Sequence, residues 1–168
     1  MKTFKEIKPI EIPGNPIHLI GQEWMLITAG VSDHFNTMTA SWGGLGELWF
    51  KPVCFCFVRP HRYTYEFMEQ YEMFTLSFFS DAFKSQLNFC GSRSGRETDK
   101  VKECGFTVRE TQSGGIFFDE ARLVLECRKI YFQDLLPDRM LDKTVLKNYP
   151  QQDYHRMYVG EILRVLKE

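Results

Sequence analysis

"NTMTASW", residues 36–42, contains no charged residue, and its apolar side chains fall at Met38, Ala40 and Trp42. Apolar residues at every second position, with Asn36, Thr37, Thr39 and Ser41 supplying the polar ones, predict a half-buried β-strand. A strand face that meets only water usually carries Lys, Glu or Arg. This one offers short neutral donors and acceptors, so two readings are open from the segment alone: an edge strand facing solvent, or a strand against a flat, polar-edged ligand.

Working outward, "WMLITAGV" (24–31) predicts a buried strand, joined to the first by a turn-like link over 32–35. On the other side, the glycine-broken "GGLGELWFKP" (43–52) reads as a loop. "VCFCFVR" (53–59) is apolar on both faces and reads as a buried strand, which makes Cys54 and Cys56 core residues; a zinc site needs two more ligands at compatible spacing, and Cys90, Cys104, Cys127 and His61 do not provide it, so no metal is expected. "RYTYEFMEQY" (62–71) puts Tyr63, Phe67 and Tyr71 on one helical stripe, and "MFTLSFF" (73–79) returns to strand. "DAFKSQLNFCG" (81–91) and "GRETDKVKECG" (95–105) read as helices, each closed by a C-capping glycine. One or two strands follow within 114–135, and "MYVGEILRVL" (157–166) reads as the closing strand. Some six short apolar strands interrupted by short helices predict a mainly β fold with helical insertions, a closed or split antiparallel barrel, because strands this short and apolar need mutual closure to hide their edges.

The chain's 168 residues suit a single domain over 1–168, and 43% apolar with 15% aromatic residues is ample for a core. A net charge of −1, with Lys and Arg interleaved among Asp and Glu, argues against nucleic acid as a partner. The first residues have no apolar signal-type region and no segment reaches the roughly 18 apolar residues of a membrane span, so no membrane association is expected. Five cysteines, an odd number, fit a reducing compartment and a cytoplasmic location.

Two stretches have the chemistry to hold an anion. In "RPHRYT", Arg59, Arg62 and Thr64 lie between a strand end and the first turn of a helix, where free backbone N–H groups and the helix dipole favour negative charge. The alternative is that Thr64 caps the helix and the arginines are solvated. "GSRSGRETDK" (91–100) could form a second oxygen-binding nest, although Ser94 with Glu97 also spells a capping box that needs no ligand.

Taken in order, "NTMTASWGGL", "FVRPHRYTYEFM", "FTLSFF", "GSRSGRETDK" and "DYHRMYVGEI" resemble the flavin reductase-like family, which includes flavoredoxin and small NAD(P)H:flavin oxidoreductases. The resemblance runs from about residue 16 to the end. It implies an FMN-binding split β-barrel of Greek-key antiparallel type, acting as a homodimer with flavin near the subunit interface. Carried over by position, Asn36, Met38, Thr39, Ala40 and Ser41 would line the ring and Trp42 would flank it. Arg59, Arg62 and Thr64 would face the phosphate or ribityl chain, with Ser92, Ser94 and Lys100 behind them. His155 would sit beside the ring as the catalytic candidate, with an ordinary imidazole pKa suited to physiological pH. "GGLGEL" lacks the strand, G-x-G-x-x-G and helix order of a dinucleotide fold, so NAD(P)H as co-substrate would bind shallowly over the flavin. Three activities are compatible with the resemblance: an NAD(P)H-dependent flavin oxidoreductase, a flavoredoxin-like carrier with a protein electron donor or acceptor, and a binding barrel without enzymatic activity. Dimer contacts are expected from "MYVGEILRVL" and "GGLGELWF".

Overall fold

Strand after strand is buried on both faces, and the reason is a sheet that curls around one core while helices cover its outside. A computed structural model describes residues 1–168. The strands are β1 (Lys5–Ile7), β2 (Met25–Val31), β3 (His34–Ala40), β4 (Gly43–Leu48), β5 (Lys51–Val58), β6 (Met73–Phe78), β7 (Val108–Glu110), β8 (Ile116–Phe118), β9 (Leu123–Asp134) and β10 (Arg156–Lys167). The α-helices are α1 (Pro16–His18), α2 (Tyr63–Gln70), α3 (Lys84–Ser92) and α4 (Lys100–Cys104). All pairings are antiparallel, in the order β3-β2-β6-β9-β10-β5-β4, with β1 added on β10 and β7–β8 forming a separate hairpin.

Period two sorts the side chains of β2. Met25, Ile27 and Ala29 join the core inside the sheet with Cys54, Cys56, Val58, Phe74 and Tyr158, while Leu26 joins a second core with Phe79, Leu87, Phe117 and Phe118 on the outside. The outer core is roofed by α3 and the β7–β8 hairpin. Gly160 marks how tightly the inner core packs, since a Cβ there would lie 2.5 Å from the Phe74 ring.

The two ends of the sheet order, β3 and β4, are consecutive in sequence yet do not pair; only Ser41 and Trp42 connect them. The barrel is therefore split along the edge where "NTMTASW" runs. Strand β3 pairs with β2 alone, which leaves the backbone N–H and C=O groups of its outer edge open.

Several expectations are corrected. The first strand begins at His34 and stops at Ala40, leaving Ser41 and Trp42 in the link. The expected loop over 43–52 is a hairpin: β4 pairs with β5 through a tight turn at Trp49 and Phe50. Glycine weakens a strand signal, but here Gly43 is needed because a Cβ would lie 2.6 Å from the carbonyl oxygen of Phe55. Gly91 lies inside α3, with Arg93 as the C-cap, and lets the helix approach Thr39 closely. Only Lys100–Cys104 of the second expected helix is helical; Asp99 caps it, accepting from the backbone N–H of Lys102, and Gly105 ends it in the left-handed region at φ 66°. The segment before Trp24 contains α1 and a following π-turn over Leu19–Glu23.

Candidate functional site

The split in the barrel opens a cleft of about 170 Å³ lined by Met38, Thr39, Ala40, Ser41 and Trp42 on one side and by Phe57, Arg59, Arg62 and His155 on the other. Beyond Arg62 lies a second hollow of about 160 Å³, where the start of α2 meets the loop after α3 and contributes Asn36, Thr64, Ser92, Ser94 and Lys100. Arg62 borders both spaces.

The polar residues of β3 are not all turned to the cleft. The Thr37 hydroxyl lies 2.9 Å from that of Thr28 on β2, and Thr39 donates to the carbonyl of Leu87 on α3. Asn36 donates through Nδ2 to the Thr64 hydroxyl at 2.7 Å, which ties β3 to α2. Thr64 is fully buried at the second position of its helix, and the residue at the N-cap is Arg62. Thr39 alone of the strand's hydroxyl residues lines the cleft; Ser41 joins it from the link, and the open edge of β3 supplies main-chain donors and acceptors.

The expected trio of Arg59, Arg62 and Thr64 is divided by the structure. Arg59 is held on the cleft side by Asp153 (2.8 Å) and the Asn148 carbonyl (2.8 Å), and lies over the Tyr149 ring. His61 reaches the same Asp153 carboxylate at 3.0 Å. Burial opposes the charge on Asp153, but the Arg59 hydrogen bond and the charges of Arg59 and His61 bring its pKa below the usual carboxylate range. Arg62, by contrast, makes only one long contact, 3.5 Å to the carbonyl of Cys90. Burial, then the charge of Arg59, lowers its pKa.

Lys100 is 4% exposed and donates to the carbonyls of Thr37 (2.8 Å) and Cys90 (2.9 Å). Burial brings its pKa down to about 8, opposed by Cys90 and reinforced by Arg62. Two of its three donors are used. A buried lysine and a half-buried, weakly bonded arginine beside the first-turn amides of an eight-residue helix form a hollow short of negative charge. Ser94 does not cap a helix: its hydroxyl accepts from the Arg96 backbone N–H in a local turn, and Ser92 donates to the Phe89 carbonyl.

His155 precedes β10 and is 8% exposed. Its ring centroid lies 5.1 Å from that of Trp42 and 6.4 Å from that of Phe57. Nδ1 meets the Tyr149 hydroxyl at 2.8 Å, which orients the ring, and Nε2 has no protein partner. Burial, then the nearby Arg59 charge, pushes its pKa down to about 4. This corrects the expected pKa near that of free imidazole: at neutral pH His155 is uncharged. Tyr149 carried no recognisable motif, and its contact with His155 arises from the five-residue link between them.

The order of these elements, with the cleft at the split, decides the relationship. A sequence profile of the flavin reductase like domain matches residues 17–167. The chain belongs to the flavin reductase-like family. No curated protein matches it. Among solved structures, an FMN-binding protein from Thermus thermophilus with bound 1-cyclohex-2-enone superimposes with a TM-score of 0.70 at 21% identity, covering 100% of this chain and 81% of the other. Flavoredoxin from Methanosarcina acetivorans does so with 0.67 at 23% identity, covering 87% and 68%. A Shewanella frigidimarina protein described as a flavin reductase with a split barrel domain gives 0.69 at 16% identity, covering 91% and 72%. The family's fold is thus the mainly antiparallel split barrel described above.

Proposed function

We propose that this chain is a single-domain FMN-binding oxidoreductase that transfers electrons between NAD(P)H, or a protein redox partner, and flavin, and that it works as a cytoplasmic homodimer. The observation that carries the reading is the pair of hollows joined at Arg62, one walled by the uncharged β3 edge with Arg59 and His155 opposite it, the other small and cationic. A planar heterocycle linked to a phosphate has this distribution of chemistry, and the donor set fits it: Arg62, Lys100 and the α2 amides for the phosphate, and the open β3 edge with Ser41 for ring carbonyls and N–H groups. Flavin would supply the two-electron redox function when bound. The chain's own part is to bind, orient and shield. Trp42 and Phe57 wall the cleft, Arg59 is immobilised by Asp153 and keeps positive potential beside it, and neutral His155 presents Nε2 as a hydrogen-bonding group that can hold a substrate or pass a proton. The five cysteines are all free thiols, which supports a reducing compartment. No helix is long and apolar enough to cross a membrane.

An absorption spectrum of the protein titrated with FMN, recorded before and after anaerobic addition of NADH or NADPH, tests this reading. A flavin spectrum that bleaches rapidly is the expected result. A spectrum that resists both nicotinamides but bleaches with a protein donor assigns the chain to the electron-carrier activity, and the absence of any FMN binding overturns the proposal.

A further inference from the structure

Trp42 borders two spaces. One is the cleft at the split; the other is a cavity of about 430 Å³ beneath the segment that joins β9 to β10. The walls of this second cavity are apolar, from Leu135, Leu136, Met140, Val145 and Met157, and Tyr149 closes it beside Trp42. The Tyr149 hydroxyl bonds His155 Nδ1 at 2.8 Å, so a thin aromatic partition separates the cavity from the cleft. A volume of this size lies in the range of small-molecule sites, which combine apolar walls with a few placed polar groups.

The polar groups around it are nearly all committed. Asp134 is neutralised by two bonds from Arg156 at 2.6 and 2.9 Å. The Asn148 carbonyl accepts from Arg59, the Asn148 side chain donates to Val145, and Gln133 Oε1 accepts from Tyr131. Arg139 is the exception: it lines the cavity, and neither a carboxylate nor a carbonyl takes its guanidinium. An aromatic-walled apolar slot with one uncommitted cation at its rim is complementary to an aromatic ring bearing one anionic group. A single guanidinium matches one carboxylate in bidentate geometry, whereas a pyrophosphate would call for more than one cation.

We propose that this cavity is a binding site for a one- or two-ring aromatic carboxylate, with the ring between Trp42 and Met140 and the carboxylate on Arg139. Its description as a substrate subsite rests on the flavin reading; its existence as a binding site does not. Calorimetric titration of the full chain with 2-naphthoate, with and without saturating FMN, provides the test, with 2-naphthalenemethanol as the neutral comparator. Arg139→Ala should weaken 2-naphthoate by about tenfold, the scale of one charge-assisted hydrogen bond, and leave the alcohol unchanged. Val145→Trp should fill the slot and abolish both, while FMN titrations of the two variants match the parent. Because a bulky substitution at half-buried Val145 can disturb folding, Arg139→Glu at the exposed rim serves as a second variant and should remove naphthoate binding altogether. Absence of 2-naphthoate binding to the parent at millimolar concentration overturns the proposal, as does parental affinity in Arg139→Glu or in folded Val145→Trp. Failure of the parent to bind FMN would count against the flavin reading, while the naphthoate titration would still decide the cavity.

Discussion

At the residue scale, Arg62 and His155 separate binding from chemistry. Arg62 borders both hollows and gives up only one long hydrogen bond within the protein, so its charge is available to a ligand phosphate. Arg62→Ala should therefore weaken FMN by roughly 1.5–3 kcal/mol, the worth of a charge-assisted bond, and leave riboflavin almost unchanged; titrations of both ligands check this, and equal losses would contradict it. His155 should behave in the opposite way. His155→Ala should retain FMN affinity but lose about tenfold in the rate of flavin reduction or reoxidation, the low end for one positioned hydrogen-bonding or acid–base group. The residue also leaves a mark on stability. Its folded pKa is depressed to about 4 by burial and by Arg59, so between that value and its unfolded value near 6.5 the unfolded chain takes up a proton that the folded chain refuses. The contribution is fully present above pH 6.5 and is lost as pH falls through about 4, amounting to about 3 kcal/mol at most. Urea midpoints of the parent and of His155→Asn across pH 7 to 4 should show the steeper decline in the parent.

At the element scale, the β4–β5 hairpin is the least expected feature. Its two turn residues, Trp49 and Phe50, adopt φ of 54° and 57°, a type I′ arrangement that usually falls to Asn-Gly. Bulky side chains in the left-handed region cost of order 1 kcal/mol or more each, and Phe50 is 100% exposed, so burial does not offset that cost within the chain. Replacing the pair by Asn-Gly should raise the melting temperature of dilute protein by a few degrees; an unchanged or lower value would refute the strain argument. The same hairpin shows where the sequence was legible. Strands that alternate or run apolar, such as Met25–Val31 and Met73–Phe78, were readable because burial on a sheet imposes period two or continuous apolarity. The glycine-rich Gly43–Leu48 was not, because its strand character comes from pairing with β5 and not from its own residues. The residues to which the family resemblance points line the two hollows. Their partners were not legible in the sequence: Arg59 meets Asp153 across 94 positions and Asn36 meets Thr64 across 28, contacts created by the closing of the barrel.

At the scale of the whole molecule, we propose that the strained turn serves a contact between two copies of the chain. Phe50 stands at the wall of a groove of about 660 Å³ lined by Ile10, Ile12, Leu45, Pro52 and Ile162, with Lys8 and Glu47 as its charged residues and Ile10 itself 91% exposed. An exposed aromatic knob next to an apolar groove on the same face can be self-complementary: under a two-fold axis each Phe50 enters the groove of the other copy. The groove is lined by residues of both segments from which dimer contacts are expected, "GGLGELWF" and the closing strand, which contributes Ile162. Stable dimers bury at least about 1,200 Å² in total, so the contact has to extend beyond Phe50 itself. Light scattering at micromolar concentration should therefore give twice the chain mass of 19.8 kDa for the parent. Phe50→Asp, which places a charge in each groove, should give the single-chain mass and an intact circular dichroism spectrum. The Asn-Gly turn should do the same, because it removes both aromatics while relieving the strain. A parent that runs as a monomer with FMN present would overturn the dimer, and a Phe50→Asp variant that stays dimeric would place the subunit contact elsewhere; either result leaves the strain at Trp49 and Phe50 without this explanation.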